Sequence, residues 1–421
     1  MTISLPPDVQ KIIDTLLKKG HDAYIVGGCV RDSIRGVMPK DWDITTSAKP
    51  KEVKEVFPRT VETGIKHGTI TVLIGGQGYE VTTYRIDGQY LDSRRPDTVS
   101  FTMDIIEDLS RRDFTMNAIA YNTSSGFIDP FDGRGDIERK LIRCVGDPML
   151  RFGEDALRML RAVRFAGQLG FAIDVATLDA ISQKSVNLAK ISAERIREEL
   201  TRLLAGQHVE AVKILETTGL LAYVLVGHTY DGNLDKTIDW MASCSKEAML
   251  CHMPRYAKGL NMNNNTDNNT ERHPMEYLRL ALFLAWSSES CEKILRALRF
   301  DNKTIRDVSQ YVNMLPIPIP LSRYDIKKYL RQMPQANFEN LLILQSIINP
   351  HETDELSHIL QESRDIQAKG ECYTISGLSV NGNDLIAAGI PPGKAIGEKL
   401  EELLDTVMRE PKLNSSLTNI L

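Results

Sequence analysis

The amino-acid sequence predicts an α+β protein, with a mixed N-terminal head of short strands and helices and only helices beyond it. Three observations carry that reading. The apolar run Tyr24-Ile25-Val26 stops at Gly27-Gly28 and passes straight into a helical pattern. Residues 61–84 alternate in character on either side of a Gly-rich turn, as a β-hairpin does. From 208 onward the chain consists of helical segments joined by polar loops.

Taken in order, residues 8–19 read as an amphipathic helix closed by Gly20. His21-Asp22 has no second cluster to complete a metal site and reads as a turn. Gly27 and Gly28 lack the Cβ atoms that would keep a bulky ligand from the backbone. The unpaired N–H groups opening the next helix suit a phosphate. Asp41 and Asp43 lie two apart in what reads as a strand, so both carboxylates leave one face. Two carboxylates beside a phosphate cradle suit a pair of Mg²⁺ ions for phosphoryl or nucleotidyl transfer. Alone, a Gly-Gly is commonly a tight turn and an Asp-x-Asp a solvated loop. Their spacing, with Arg31-Asp32 between them, is the specific signal.

Glu80, on the second strand of the hairpin, is a candidate third carboxylate, and a solvent-facing strand residue is the alternative. Residues 86–97 read as a loop with a cationic tip at Arg94-Arg95. Ser110 is placed to cap a helix whose first turn holds Arg111, Arg112 and Asp113. Two arginines there oppose the helix dipole and call for an anion. Asp129 to Ile137 contains a Gly-rich turn that reads as a hinge. Phe152 to Phe165 reads as one helix on which Asp155 and Arg158 share a face and pair, with Arg161 and Arg164 extending a positive stripe. Residues 261–270 are an Asn-rich low-complexity loop. Gly-rich turns before 382 and 394 open into helices and are anion sites in principle.

The whole chain bounds the possibilities. Its 421 residues allow several domains. A net charge of −5 gives no global nucleic-acid signal, so any RNA contact must come from a local basic face. The six cysteines show neither zinc-site nor disulfide spacing. No apolar run approaches the ~18 residues of a membrane span, and the N-terminus does not resemble a signal peptide. The expected location is the cytoplasm.

The string Gly27-Gly28-x-x-Arg31-Asp32 followed by Asp41-x-Asp43 resembles, residue for residue, the signature of nucleotidyltransferases of the DNA polymerase β superfamily. Arg111-Arg112-Asp113-Phe114-Thr115-x-Asn117-Ala118 is similar to the second motif of class II tRNA nucleotidyltransferases and bacterial poly(A) polymerases. Asp129 to Ile137 resembles their third motif, Glu154-Asp155-x-x-Arg158 their nucleotide-selecting motif, and Ile191 to Leu200 their fifth.

This resemblance, to the bacterial class II CCA-adding enzymes in particular, implies four parts. They are a nucleotidyltransferase head (1–147), a helical neck with the selecting helix (148–207), a helical body (208–315) and a helical tail gripping tRNA (316–421). It implies two Mg²⁺ ions on Asp41 and Asp43, with Glu80 near them, and nucleotide contacts from Gly28, Arg31, Arg112, Asp155, Arg158, Arg161 and Arg164. It also implies CTP, ATP and tRNA as substrates, no membrane partner, a monomer or homodimer, and a loop at 86–97 that switches nucleotide choice. The fifth motif, with Ser192 as cap, would brace the selecting helix. Enzymes that add only the terminal A, and bacterial poly(A) polymerases, share the head motifs. A small-molecule nucleotidyltransferase would need neither the Asp155/Arg158 motif nor the long tail, and a non-catalytic RNA-binding protein would be expected to have lost an aspartate.

The selecting chemistry follows from hydrogen bonding. Cytosine and adenine each set an exocyclic amine beside a ring-nitrogen acceptor, whereas uracil and guanine set a carbonyl beside an N–H. A carboxylate on Asp155 accepts from the amine and Arg158 donates to the ring nitrogen. Uracil or guanine would oppose acceptor to acceptor and donor to donor, at roughly 1–3 kcal/mol for each buried group left unpaired.

Overall fold

The computed structural model describes residues 2–88, 99–244 and 275–419. The chain divides into two compact units, residues 1–229 with 297–299, and residues 230–296 with 300–421.

In the first unit, helix α1 (Pro7–Lys18) buries Val9, Ile12, Ile13 and Leu16, the apolar stripe its sequence sets at helical spacing. Gly20, at φ +84°, lets the chain turn left-handed after it. Strand β1 (Ala23–Val26) is buried on both faces, which its unbroken apolar run requires. Helix α2 (Gly28–Ile34), strand β2 (Ile44–Thr46) and helix α3 (Pro50–Val56) follow. Strands β3 (Thr60–Gly64), β4 (Thr69–Ile74) and β5 (Gln77–Thr83) form a meander whose β4–β5 hairpin runs from Thr69↔Thr82 to Ile74↔Gln77. A short pair, β6 (Arg85–Asp87) and β7 (Val99–Phe101), precedes helix α4 (Ile105–Ser110). Strands β8 (Ala120–Asn122) and β9 (Gly126–Ile128) complete a seven-stranded sheet of order β3-β4-β5-β2-β1-β8-β9. Only the β2–β5 pairing is parallel, so the sheet is mixed as predicted.

Helix α5 (Gly133–Glu138) corrects the hinge expected at the third motif. A Cβ on Gly133 would come within 2.2 Å of the Thr115 carbonyl oxygen. Asp136 beside it is fully buried, accepting from Thr115 Oγ1 at 2.5 Å and pairing with Arg139 and Arg143 at 2.7 and 2.8 Å. That junction is closely packed against the Thr115 segment. Helices α6 (Pro148–Glu154), α7 (Leu157–Leu169), α8 (Val175–Lys184) and α9 (Ala193–Leu204) continue the unit, with α7 packed along α9.

The second unit is helical throughout its described residues. The helix Gln335–Ile348 is buried almost all round and forms its centre. In the helix Arg323–Gln332, Lys327 is fully buried, donating to the Met408 carbonyl at 2.9 Å and pairing with Glu371 at 2.8 Å. Leu378, Val380, Leu385, Leu403, Leu404 and Val407 form a separate apolar cluster near the C-terminus. The turn before 382 is no open anion site, because Asn381 and Asp384 form a capping box over that helix start. No described helix is long and apolar enough to cross a membrane.

Candidate active site

The site begins where β1 ends. Gly27 adopts φ +81°, and a Cβ there would lie 3.2 Å from Arg112 Nη1. Gly28 is less constrained, since its Cβ would meet nothing nearer than Arg31 Nη2 at 3.8 Å. The steric demand in the pair therefore falls on Gly27, which lets the Arg112 guanidinium close over the turn. Arg112 Nε is buried and finds no hydrogen-bond partner among the described residues. An arginine held like this, beside the opening turn of α2, is a ready anion contact. Arg31, by contrast, is already engaged, with two bonds to Asp32 at 2.9 and 3.0 Å and one to Asn117 Oδ1 at 2.9 Å.

Asp41 and Asp43 precede β2 rather than lying within it, which corrects the strand assignment. The Asp43 carbonyl still accepts from Val26 N–H at 3.0 Å, so the segment remains extended alongside the end of β1. Lys40, Asp41, Trp42 and Asp43 line a cleft of 380 Å³ with Gln77, Gly78, Tyr79 and Glu80 of β5. Asp43 reaches solvent at the mouth of this cleft while its carboxyl is walled by protein. That burial holds the carboxyl above its ordinary range; Arg112 opposes the shift, and the like charges of Glu80 and Asp41 add to it. Glu80 thus acts on Asp43 across the cleft. Hard carboxylate oxygens gathered in one cleft suit a divalent cation. Among the described residues no three His, Cys, Asp or Glu side chains already converge on one metal position.

The second motif is arranged differently from the sequence expectation. Asp104, not Ser110, caps α4, its carboxylate accepting from Ile106 N–H at 2.8 Å. Arg111 and Arg112 consequently follow the last turn, where the dipole favours cations. Both return to Asp108, fully buried, at 2.7 and 3.4 Å. Burial alone would raise the Asp108 carboxyl, and the two arginines hold it below its usual range instead. Asp113 behaves alike: burial is outweighed by Arg161 and Asn117, which bring its carboxyl down to about 2.

The selecting motif carries the largest correction. Asp155 interrupts the expected helix at φ −138°, ψ 103°, between α6 and α7. Its carboxylate accepts from Leu157 N–H at 3.1 Å, a local bond that competes with helix continuation. It pairs with Arg195 of α9 at 2.8 Å, not with Arg158. Arg158 instead bonds Glu154 at 2.5 Å and the carbonyls of Arg151 and Arg111 at 3.2 and 3.0 Å. The two selecting side chains are therefore held by separate partners. Arg161 binds Asp113 at 2.6 and 2.8 Å, and Arg164 binds Glu199 at 2.5 Å, so the positive stripe is largely neutralised.

Asp108, Arg195 and Glu199 were not singled out from sequence, and Glu154 appeared there only as part of the selecting motif, without a role. Only Arg195 and Glu199 carried a signal, four apart on one face of a helix in the fifth motif. Ser192 occupies the N-cap position of α9 without a side-chain bond to the helix. Through Arg195 and Glu199 that helix does brace the selecting segment. The cationic tip at Arg94-Arg95 and the Asn-rich stretch 261–270 lie outside the described residues.

Residues 23–143 match the family described as the poly A polymerase head domain, residues 170–230 the RNA and SrmB-binding site of polymerase A, and residues 271–416 the tRNA nucleotidyltransferase domain 2. A CCA-adding enzyme of Limosilactobacillus fermentum is 36% identical over 97% of this chain and 94% of its own length. One from Geobacillus stearothermophilus is 37% identical over 94% of this chain and 90% of its own. The crystal structure of the Bacillus stearothermophilus CCA-adding enzyme in complex with CTP superposes with a TM-score of 0.76 at 32% identity, covering 96% of this chain and 94% of that one.

Proposed function

The chain belongs to the family of CCA-adding enzymes, which makes it a tRNA nucleotidyltransferase, and we propose that it completes the tRNA 3′ end by the following division of labour. The observation that carries the reading is the cleft lined by Asp41, Asp43 and Glu80, with Asp43 adjoining the end of β1 and the unpartnered Nε of Arg112 close over the Gly27 turn. Asp41 and Asp43 would hold two Mg²⁺ ions, which when bound activate the tRNA 3′-hydroxyl toward the α-phosphate and stabilise departing pyrophosphate. Glu80 adds negative charge across the cleft. Arg112, the first-turn N–H groups beyond Gly27 and the backbone at Gly28 hold the triphosphate. Arg31 orders that turn through Asp32 and Asn117.

Base choice falls to Asp155 and Arg158. Because each is held from outside, by Arg195 and Glu154, neither must break an ion pair with the other to meet cytosine or adenine. Asp155 accepts from the amine, and Arg158 donates to the ring nitrogen. Arg161 and Arg164 set the charge around the nucleotide. In this reading residues 1–147 act as catalytic head, 148–207 as neck, 208–315 as body and 316–421 as tRNA-gripping tail, in the cytoplasm where tRNA is matured.

The test uses tRNA lacking CCA, tRNA ending in CC, and each labelled nucleotide. C, C and A in sequence on the first substrate is the expected product. A alone on the second substrate, with nothing on the first, would make this an A-adding enzyme. A lengthening run of A on either would make it a poly(A) polymerase.

A further inference from the structure

Phe165, on α7, is buried and carries no polar atom, yet three guanidinium groups gather about its ring. The Cζ atoms of Arg164, Arg31 and Arg161 lie 3.9, 5.2 and 5.5 Å from its centroid. Phe114 meets the same ring edge-on, at 5.8 Å and 88°. These neighbours come from three motifs: Arg31 from the helix after the glycine pair, Phe114 from the segment after Arg112, and Arg161 and Arg164 from the selecting helix. Each guanidinium is also tied at its far edge to a carboxylate, Asp32, Asp113 or Glu199.

Three like charges converging on one spot repel one another, and the paired carboxylates offset that repulsion from the sides away from the ring. The π-face of an aromatic ring attracts a cation, most strongly where water is excluded. Leucine fills similar space but has no such face. Arg161 is the most exposed of the three, with a third of its side chain reaching solvent, and it pairs with Asp113 at 2.6 Å and more loosely with Glu199 at 4.0 Å. Arg31 and Arg164 are nearly enclosed.

We propose that Phe165 is a positioning residue for nucleotide binding, fixing Arg161 by cation–π contact and joining the selecting helix to the phosphate-binding turn through Arg31. The inference rests on the proposed part of Arg161 in the nucleotide environment.

The test compares Phe165→Leu, Phe165→Tyr, Arg161→Gln and Leu16→Val, the last a core truncation in the distant α1. KM and kcat for CTP and ATP are measured on tRNA lacking CCA and on tRNA ending in CC, with Tm alongside. Phe165→Leu is expected to raise KM about three- to tenfold with kcat within about twofold of the parent. Phe165→Tyr, which keeps the ring face, is expected to restore KM, and Leu16→Val to lower Tm without moving KM. An unchanged KM in Phe165→Leu, an equal rise in Leu16→Val, or no rescue by tyrosine overturns the proposal. If Arg161→Gln raises KM and Phe165→Leu does not, only the role of Phe165 falls. If neither raises it, the nucleotide role of Arg161 falls as well.

Discussion

Truncating Asp155 to alanine removes three things at once: the acceptor offered to the base, the partner of Arg195, and the bond that starts α7 at Leu157 N–H. The last two are matters of stability. A lost cap costs about 1 kcal/mol, and this partly buried ion pair on the order of 1 kcal/mol more. The first is a matter of specificity. Without the carboxylate, uracil and guanine no longer oppose acceptor to acceptor, and cytosine and adenine lose a partner. With roughly 1–3 kcal/mol for that group, the kcat/KM ratio of UTP to CTP should rise by about five- to a hundredfold. Arg195→Ala is the matched control. It breaks the same ion pair and leaves the acceptor in place, so Tm falls while discrimination largely survives. The assay is kcat/KM for all four nucleotides on a tRNA lacking its CCA end. Since Asp155 and Arg158 do not bond each other, combining their alanine variants should be additive in Tm and non-additive in kcat/KM, where the base couples them. If Asp155→Ala slows all four nucleotides by one factor, or Arg195→Ala relaxes selection equally, Asp155 is a brace and the hydrogen-bond account of base choice is wrong.

Asp41→Ala and Asp43→Ala should each abolish nucleotide incorporation while leaving tRNA retention in a gel-shift assay intact; near-normal CTP incorporation by either would remove them from the chemistry. Gly27→Ala should raise KM for both nucleotides far more than Gly28→Ala, because only the former combines positive φ with a Cβ crowding Arg112 at 3.2 Å. Asp113→Asn should lower Tm at neutral pH. The folded carboxyl sits at about 2, below the roughly 3.9 of a free aspartate. Its contribution, on the order of 2 kcal/mol, is therefore present above about pH 4 and lost as pH falls toward about 2. Melting curves of parent and variant, well separated at pH 7, should converge across that acidic window.

The run from Tyr24 through Gly28 was readable from sequence because strand, turn and helix each leave a local mark there: apolar continuity, missing Cβ atoms, then helical periodicity. The placing of Asp41, Asp43 and Glu80 in one cleft was half readable. Spacing suggested the first two, but only the parallel pairing of β2 with β5 brings Glu80 to the same cleft. Two of the corrected expectations have reasons that local sequence could have shown. Asp104 and Ser110 are both good caps, and the acidic residues Glu107 and Asp108 after Asp104 were the neglected cue for which one starts the helix. At Asp155 helical spacing was extrapolated across a residue whose own side chain bonds the backbone two positions on. Partners such as Arg195 and Glu199 come from 40 and 35 positions away, and nothing local to the selecting motif announces them.

The buried lysine of the second unit bears on how the protein is made. Lys327 reaches the Met408 carbonyl, 81 positions later in the chain, and Glu371 in between. An ammonium enclosed without those partners would cost several kcal/mol. During synthesis the helix that carries it therefore has no comfortable resting place until the ribosome has delivered residues well beyond 400. The helix carrying Lys327 is in this way tied to residues 44 and 81 positions downstream, and its packed state requires both.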